Sequence, residues 1–242
     1  MKICLAGTAC SREIVLNNMP PYILESFYYF RDWQKELVEK SKLFLLDSGA
    51  FTFMNNFKGT VVWKDYVDRY AQFVKDNNIK YFFELDVDAL IGYEQVKELT
   101  RYLEKQVGRK CIPVWHKGRG KDEFLRICKE YDYIAIGGIV TKEIKPNEYK
   151  YFKSLIDIAH KHNCKIHGLG FTNLKNLKTL KFDSVDSTSW LSGSRFGQLN
   201  IYSNGRLKSV SYKNKRIKDY KLADKFNLNE WLKFVKYADK NL

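Results

Sequence analysis

The chain has 242 residues, 45% hydrophobic and 15% aromatic, which supplies a buried core and argues against a disordered polymer. Lysine and arginine number 42 against 28 aspartate and glutamate, a formal net charge of +14. Excess of this size disfavours cationic ligands and favours polyanions, nucleic acid first and an anionic membrane second, though a lysine-rich solvated surface gives the same arithmetic.

The five cysteines (Cys4, Cys10, Cys111, Cys128, Cys164) are odd in number and none are spaced CxxC, which argues against a disulfide framework or a four-cysteine zinc site. No metal and no cofactor is expected. The N-terminal apolar stretch is interrupted by Arg12 and Glu13 and reads as a strand rather than a signal peptide. No run of about 18 apolar residues spans a membrane, so a cytoplasmic protein is expected.

In chain order, Ile3–Ala6 reads as a strand and Tyr22–Ser41 as a helical stretch. Leu43–Leu46 is a second strand, ending in Asp-Ser-Gly. Val61–Asn77 carries apolar and aromatic residues near helical spacing and predicts a helix. Tyr81–Leu85, Cys111–Trp115, Tyr133–Ile136 and Lys165–Leu169 are further strands. Helices are expected at Tyr93–Val107, Lys121–Tyr131 and Asn147–His162, and a short one at Asn173–Leu180 leads to a seventh strand near Ser184–Val185. Beyond Trp190, Phe196–Tyr202 and Leu207–Tyr212 flank Ser203-Asn204-Gly205, a hairpin signal. Asn229–Ala238 predicts a last helix.

Seven strand-then-helix units predict a parallel sheet with helices outside. Strand after strand ends in polar or glycine clusters: Asp47-Ser48-Gly49, Asp86-Val87-Asp88, His116-Lys117-Gly118, Gly137-Gly138, Gly168-Leu169-Gly170 and Asp186-Ser187. An open doubly wound sheet would use two or three strand ends, whereas a barrel uses all of them on one face. The fold class is therefore α/β, a TIM-type (β/α)8 barrel. Its eighth unit is irregular or incomplete, lying within the C-terminal β-hairpin if anywhere. Residues 1–195 form the catalytic core, and 196–242, a basic hairpin and helix, complete the barrel in a single domain.

Carboxylates at strand ends carry the chemistry: Asp47, Asp86, Asp88, Asp183 and Asp186. Any one of them could be a helix N-cap. Several converging on one mouth raise each other's pKa, which points to acid/base or nucleophilic work. No phosphate loop of the GxxxxGKS/T kind and no HExxH motif is present.

Leu45-Leu46-Asp47-Ser48-Gly49-Ala50-Phe51 resembles the DSGG-aromatic signature of the tRNA-guanine transglycosylases, and Ala135-Ile136-Gly137-Gly138-Ile139 is similar to their AIGGL segment. Leu169-Gly170 and Phe182–Thr188 match more loosely, in the family's order, over residues 43–190. The short length and DSGAF variant look closer to the compact phage-type branch that places 7-deazaguanines in DNA. The resemblance implies a nucleophile at Asp186, a general acid/base at Asp47, and a reader of the guanine edge at Asp86. It also implies backbone donors at Gly137 and Gly138, stacking by Phe51, and a base pocket lined by Ser48, Gly49, His116 and His167. Asp186 is preferred to Asp183, which lies just before the strand.

Beside what the resemblance implies stands the physical chemistry of these groups. A carboxylate stabilises an oxocarbenium-like centre, a second acid protonates the leaving purine, and a third faces the paired N1–H and amino donors peculiar to guanine. A flipped base needs stacking partners, for which Phe51, Trp115 and Trp190 are candidates against a plain core role. The family's zinc element is missing, since no cysteine follows Cys164 and no histidine follows His167. That tilts the expected partner from tRNA towards DNA, with a free 7-deazaguanine base as second substrate.

Arg206–Lys218 holds six basic residues and no acid, so Arg206, Lys208, Lys213, Lys215 and Arg216 are candidate phosphate contacts or a solvated tail. The competing readings are a DNA glycosylase, a tRNA-guanine transglycosylase, and a barrel that binds nucleic acid without catalysis. Oligomeric state stays open.

Overall fold

The structure, a computed structural model, describes residues 1–49, 52–53, 61–171, 173, 175–211 and 219–242. Its elements in chain order are β1 (Lys2–Ala6), α1 (Arg12–Asn18), β2 (Tyr22–Ser26), α2 (Lys35–Lys40), β3 (Leu43–Asp47), α3 (Trp63–Asp76), β4 (Tyr81–Phe82), α4 (Asp88–Ile91), α5 (Tyr93–Val107), β5 (Val114–Trp115), α6 (Gly120–Glu130) and β6 (Tyr133–Ile136). There follow α7 (Phe152–Lys161), β7 (Lys165–Gly168), β8 (Ser184–Ser187), α8 (Ser192–Phe196), β9 (Gln198–Ser203), β10 (Arg206–Ser211) and α9 (Tyr220–Asn241).

Eight parallel strands form one sheet in the order β4-β3-β2-β1-β8-β7-β6-β5. The two outer strands meet through a parallel bridge between Phe83 and Ile112. There the Glu84 N–H donates to the Ile112 carbonyl at 3.0 Å, and the Ile112 N–H to the Phe82 carbonyl at 2.7 Å. The sheet thus curls onto itself as an α/β TIM-type barrel. Its strands read as near-continuous apolar runs because both faces are covered, the inner by other strands and the outer by helices.

The eighth strand is β2, within the segment expected to be helical. Tyr22–Ser26 pairs with β1 on one side (Leu5 with Ile23) and with β3 on the other (Leu24 with Leu45), and its first four residues are buried. Tertiary pairing overrides the helical reading, and only Lys35–Lys40 remains an α-helix there. The helix expected at Asn147–His162 opens as a 3-10 stretch, Pro146–Tyr151, that runs into α7, and the short one expected at Asn173–Leu180 is a 3-10 stretch over Asn176–Lys178.

The hairpin is a separate two-stranded sheet and contributes no barrel strand. Asn204 and Gly205 both have positive φ, as a two-residue turn of this twist requires. The free edge of β9 is covered by α9. Asn227 Oδ1 accepts from the Asn200 N–H at 2.7 Å, Glu230 Oε2 from the Tyr202 N–H at 2.7 Å, and Asp224 Oδ1 from the Ser194 N–H at 3.0 Å. These three acceptors, spaced three apart on one helix face, explain why α9 buries polar residues. The same helix packs Leu228, Trp231, Phe234 and Val235 into the core.

On α3 the buried residues Tyr66, Val67, Tyr70, Ala71 and Val74 make one stripe. The fully buried Tyr70 hydroxyl lies 3.0 Å from the Leu46 carbonyl and 3.1 Å from that of Phe83, at the β3–β4 seam. Tyr70→Phe removes that donor, and a loss of about 1–2 kcal/mol of unfolding free energy is expected in urea titration.

Candidate active site

The C-terminal ends of the strands open on one cavity of about 1450 Å³. Asp47, Gly49, Asp86, His116, Gly137, Gly138 and Asp186 line it, so seven of the ten residues assigned to catalysis or base binding from the sequence converge there. Strand register makes this so. Asp47 closes β3 opposite Ser26 of β2, and Asp186 on β8 pairs with Cys4 of β1.

The three aspartates have unlike surroundings. Asp47 Oδ2 accepts a hydrogen bond from the Gly49 N–H at 2.9 Å. Burial pushes Asp47 up to about 7; the Gly49 N–H opposes the rise, and the charges of Asp86 and Asp186 add to it. Asp186, nearly buried, takes the Gly170 N–H at 2.5 Å and His167 Nε2 at 3.2 Å on Oδ1. His167 is fully buried beneath it, and its Nδ1 contacts the Ser184 hydroxyl, which Tyr133 also reaches. An Nε2–H given to Asp186 leaves Nδ1 to accept from Ser184, so His167 orients the carboxylate from behind. Asp183 sits at the other end of β8, with its carboxylate on His160 Nε2 and the Ile166 N–H, away from the cavity.

Asp86 is joined to a histidine. His116 Nε2 is 2.6 Å from Asp86 Oδ1, and His116 Nδ1 is 2.7 Å from Glu143 Oε2. Glu143 Oε1 also accepts the Gly118 N–H at 2.9 Å. Burial lowers the His116 pKa, but hydrogen bonding and attraction to Asp86, joined by Glu143, outweigh it and raise it to about 9. The two glycines make room for this group. A Cβ on Gly137 would stand 2.7 Å from His116 Nε2, and one on Gly138 2.6 Å from Glu143 Oε2. The backbone-donor role implied for Gly137 is corrected here, because its N–H donates to the Trp115 carbonyl at 2.9 Å within the barrel ladder.

Deeper in the same wall, Arg119 is nearly inaccessible. Its Nη1 donates to Glu84 Oε1 at 2.7 Å, and its Nε and Nη2 grip Asp88 at 2.7 and 2.6 Å. Its guanidinium lies 4.1 Å from the centroid of the Tyr93 ring. Across the cavity Glu25, at the end of β2, accepts the Thr8 N–H at 2.8 Å. Burial pushes Glu25 up to about 7 despite the bonds from Thr8 and Gln34.

Ser48 and His167 do not line the cavity. Ser48 is fully buried, its carbonyl accepting the Tyr66 hydroxyl at 2.6 Å. Trp115 and Trp190 are core residues rather than stacking platforms: their indole N–H groups bond the Gly120 and Ala6 carbonyls. Phe51, Lys213, Lys215 and Arg216 lie outside the described residues. Arg206 and Lys208 are exposed on β10. Their hairpin is tied to the rim by Asn200 Nδ2, which donates to the carbonyl of cavity-lining Ser189 at 3.2 Å.

Sequence reasoning missed Glu25, Glu84, Tyr29, Tyr93, Arg119 and Glu143. Glu25 and Tyr29 were hidden by the helical reading of Tyr22–Ser41. The signal for Glu84 was its place as a lone acid in the apolar run Tyr81–Leu85. Among the described residues no cluster of three or more His, Cys, Asp or Glu is arranged to hold a metal. Nor is any helix among them long and apolar enough to cross a membrane.

No protein-family model matches the chain, and no curated protein sequence does. Among solved structures, the fold is similar to that of a putative fructose-1,6-biphosphate aldolase from Coccidioides immitis. The TM-score is 0.57 over 99% of this chain and 91% of that one, at 9% identity. At that identity the likeness carries the TIM-type fold and not the chemistry.

The raised Asp47 pKa has a stability consequence. The folded chain retains a proton that the unfolded chain gives up between pH 3.8 and about 7, so the stability present at low pH is lost as pH rises through that window. Asp47→Asn is expected to stabilise the fold at pH 8 by up to about 4 kcal/mol. The gain should shrink to nothing near pH 4, as read by thermal unfolding across pH.

Proposed function

We propose that this chain is a nucleic-acid base-exchange enzyme that replaces guanine in DNA with a 7-deazaguanine through a covalent aspartyl-glycosyl intermediate. The observation that carries the reading is the convergence of Asp47, Asp86 and Asp186 on one cavity, each in a different environment. The likeness of the Asp47-Ser48-Gly49 and Gly137-Gly138 segments to those of the tRNA-guanine transglycosylases supports the same assignment.

In this reading Asp186, oriented by Gly170 and His167, attacks C1′ of an extruded guanosine nucleotide. The C1′–N9 bond breaks, its electron pair leaves with the purine, and a proton from Asp47 neutralises the departing base. An Asp47 pKa of about 7 lets one group both give and take that proton at neutral pH. The incoming 7-deazaguanine loses its N9 proton to Asp47, attacks C1′ and releases the Asp186 carboxylate. Asp86 faces the N1–H and amino donors that distinguish guanine from the other bases. Tyr29, half-exposed on the cavity wall, is placed to stack on a flipped base. Arg206 and Lys208 would contact phosphates from the tethered hairpin.

The test is to incubate the protein with guanine-containing duplex DNA and radiolabelled 7-deazaguanine. Incorporation is expected; abasic sites without incorporation would convert the reading to a glycosylase, and exchange confined to tRNA would overturn the DNA assignment. Asp186→Asn should abolish the covalent adduct while DNA binding persists, and Asp47→Asn should slow exchange by roughly 10²–10⁴-fold. For the hairpin, Arg206→Ala with Lys208→Ala should reduce the slope of log affinity against log salt by about 2 if both neutralise phosphates. An unchanged slope would remove the hairpin from the interface.

A further inference from the structure

Asp86 reaches the cavity with one oxygen already engaged, and what engages it is itself held from the far side. His116 has a carboxylate acceptor at each ring nitrogen, at 2.6 and 2.7 Å. With both carboxylates ionised, both nitrogens must carry protons, so the ring is an imidazolium. The arrangement is built rather than incidental. Glu143 is pinned a second time by the Gly118 N–H, and the two glycines of β6's end leave space that any side chain would fill. The His116 side chain is only 15% exposed and that of Asp86 14%.

We infer that His116 and Glu143 are positioning residues. Together they clamp the Asp86 carboxylate as a fixed anion and present it to the paired N–H donors of a planar guanine-type heterocycle. The inference rests on the base-exchange reading for the ligand, while the clamp itself rests on the geometry alone. Asp86 Oδ2 has no partner among the described residues, and Oδ1 retains a second lone pair, so both oxygens can accept from a ligand. Other charges face the histidine. Arg119, on the same loop, opposes its protonation, and Lys117 lies beside Glu143, paired with Glu148 at 2.5 Å. Neither supplies an acceptor, so the two carboxylates decide its charge.

The clamp has a definite pH behaviour. While His116 is protonated, Asp86 and Glu143 are bridged. When pH rises through the His116 midpoint, one N–H is lost and two carboxylates face a neutral ring, so hold on the base weakens on the alkaline side. Glu143→Gln replaces the distal anion by a neutral acceptor. The His116 midpoint should then fall by about one pH unit, the worth of one charge-assisted hydrogen bond.

The test has two independent arms. In the first, the ring protons of His116 are followed by NMR against pH and assigned with His116→Gln among the four histidines of the chain. A midpoint well above 6.5 that drops in Glu143→Gln and is restored towards its original value in Glu143→Asp is expected. A midpoint near 6.5, or one indifferent to Glu143, overturns the clamp whatever the enzyme turns over. In the second, base exchange is measured across pH. Glu143→Gln should raise KM for the 7-deazaguanine about tenfold with kcat changed less than about twofold, and should move the alkaline limb to lower pH. Equal loss of kcat and KM effect without a shift of the limb overturns the positioning role. If wild-type protein exchanges no base at all while the first arm holds, the base-exchange reading fails and the clamp stands.

Discussion

The barrel mouth gathers carboxylates at close range, and the cations and N–H donors of the site are arranged around their mutual repulsion. Glu84, Asp86, Asp88, Glu143, Asp47 and Asp186 all come from strand ends or the loops beyond them. Each like-charged neighbour raises the cost of ionising the others. Arg119 offsets Glu84 and Asp88, His116 offsets Asp86 and Glu143, and Gly170 with His167 supplies N–H donors to Asp186. Asp47 receives backbone N–H groups from Gly49 and Ser48, and no cation among the described residues. Burial raises the Asp47 pKa to about 7, and the charges of Asp86 and Asp186 add to the rise. Glu25, at the end of β2, is raised to about 7 by the same cause.

Closure of the sheet is what brings these groups within range. The Phe83–Ile112 bridge joins β4 to β5, which sets Asp86 beside His116 and brings Arg119 onto Glu84. Were the two outer strands apart, Glu84 would be a buried acid without its cation, a cost of several kcal/mol. The Arg119 pair is thus as much a closing latch as a charge correction. It also accounts for the depth of Glu84: Thr100 on α5 and the Val114 N–H complete its hydrogen bonds.

Much of the fold was legible because parallel strands buried on both faces leave apolar runs that end abruptly in polar residues. Tyr133–Ile136 and Tyr93–Val107 were read to the residue. β2 was lost because Tyr22-Ile23-Leu24-Glu25-Ser26 is too short to show a period and runs straight into helical sequence; Pro20-Pro21 before it was the available breaker signal. With β2 went Glu25 and Tyr29. Asp47, Asp86 and Asp186 stood out in the sequence as carboxylates at the ends of apolar strands, a place that a helix N-cap also explains, and the structure brings all three to one cavity. Glu143 was not, because it sits in a loop seven residues past its strand, and nothing local shows that it folds back to His116.

The Gly137-Gly138 pair shows how one sequence pattern admits two physical causes. The resemblance reads these glycines as backbone donors that approach a ligand. In the structure the first is committed to the barrel ladder, and both abut the Asp86–His116–Glu143 group. The need for glycine is therefore met by side-chain packing as well as by backbone approach, and the two explanations make the same sequence. Under the proposed function they also divide the work by distance. The surplus of +14 acts on phosphates outside the mouth and is screened over about 10 Å. The clamped carboxylate acts only at contact, on a base edge that offers two hydrogens. A chain can then be strongly basic and still select its ligand with an acid, because attraction to the polymer and discrimination of the base operate on separate length scales.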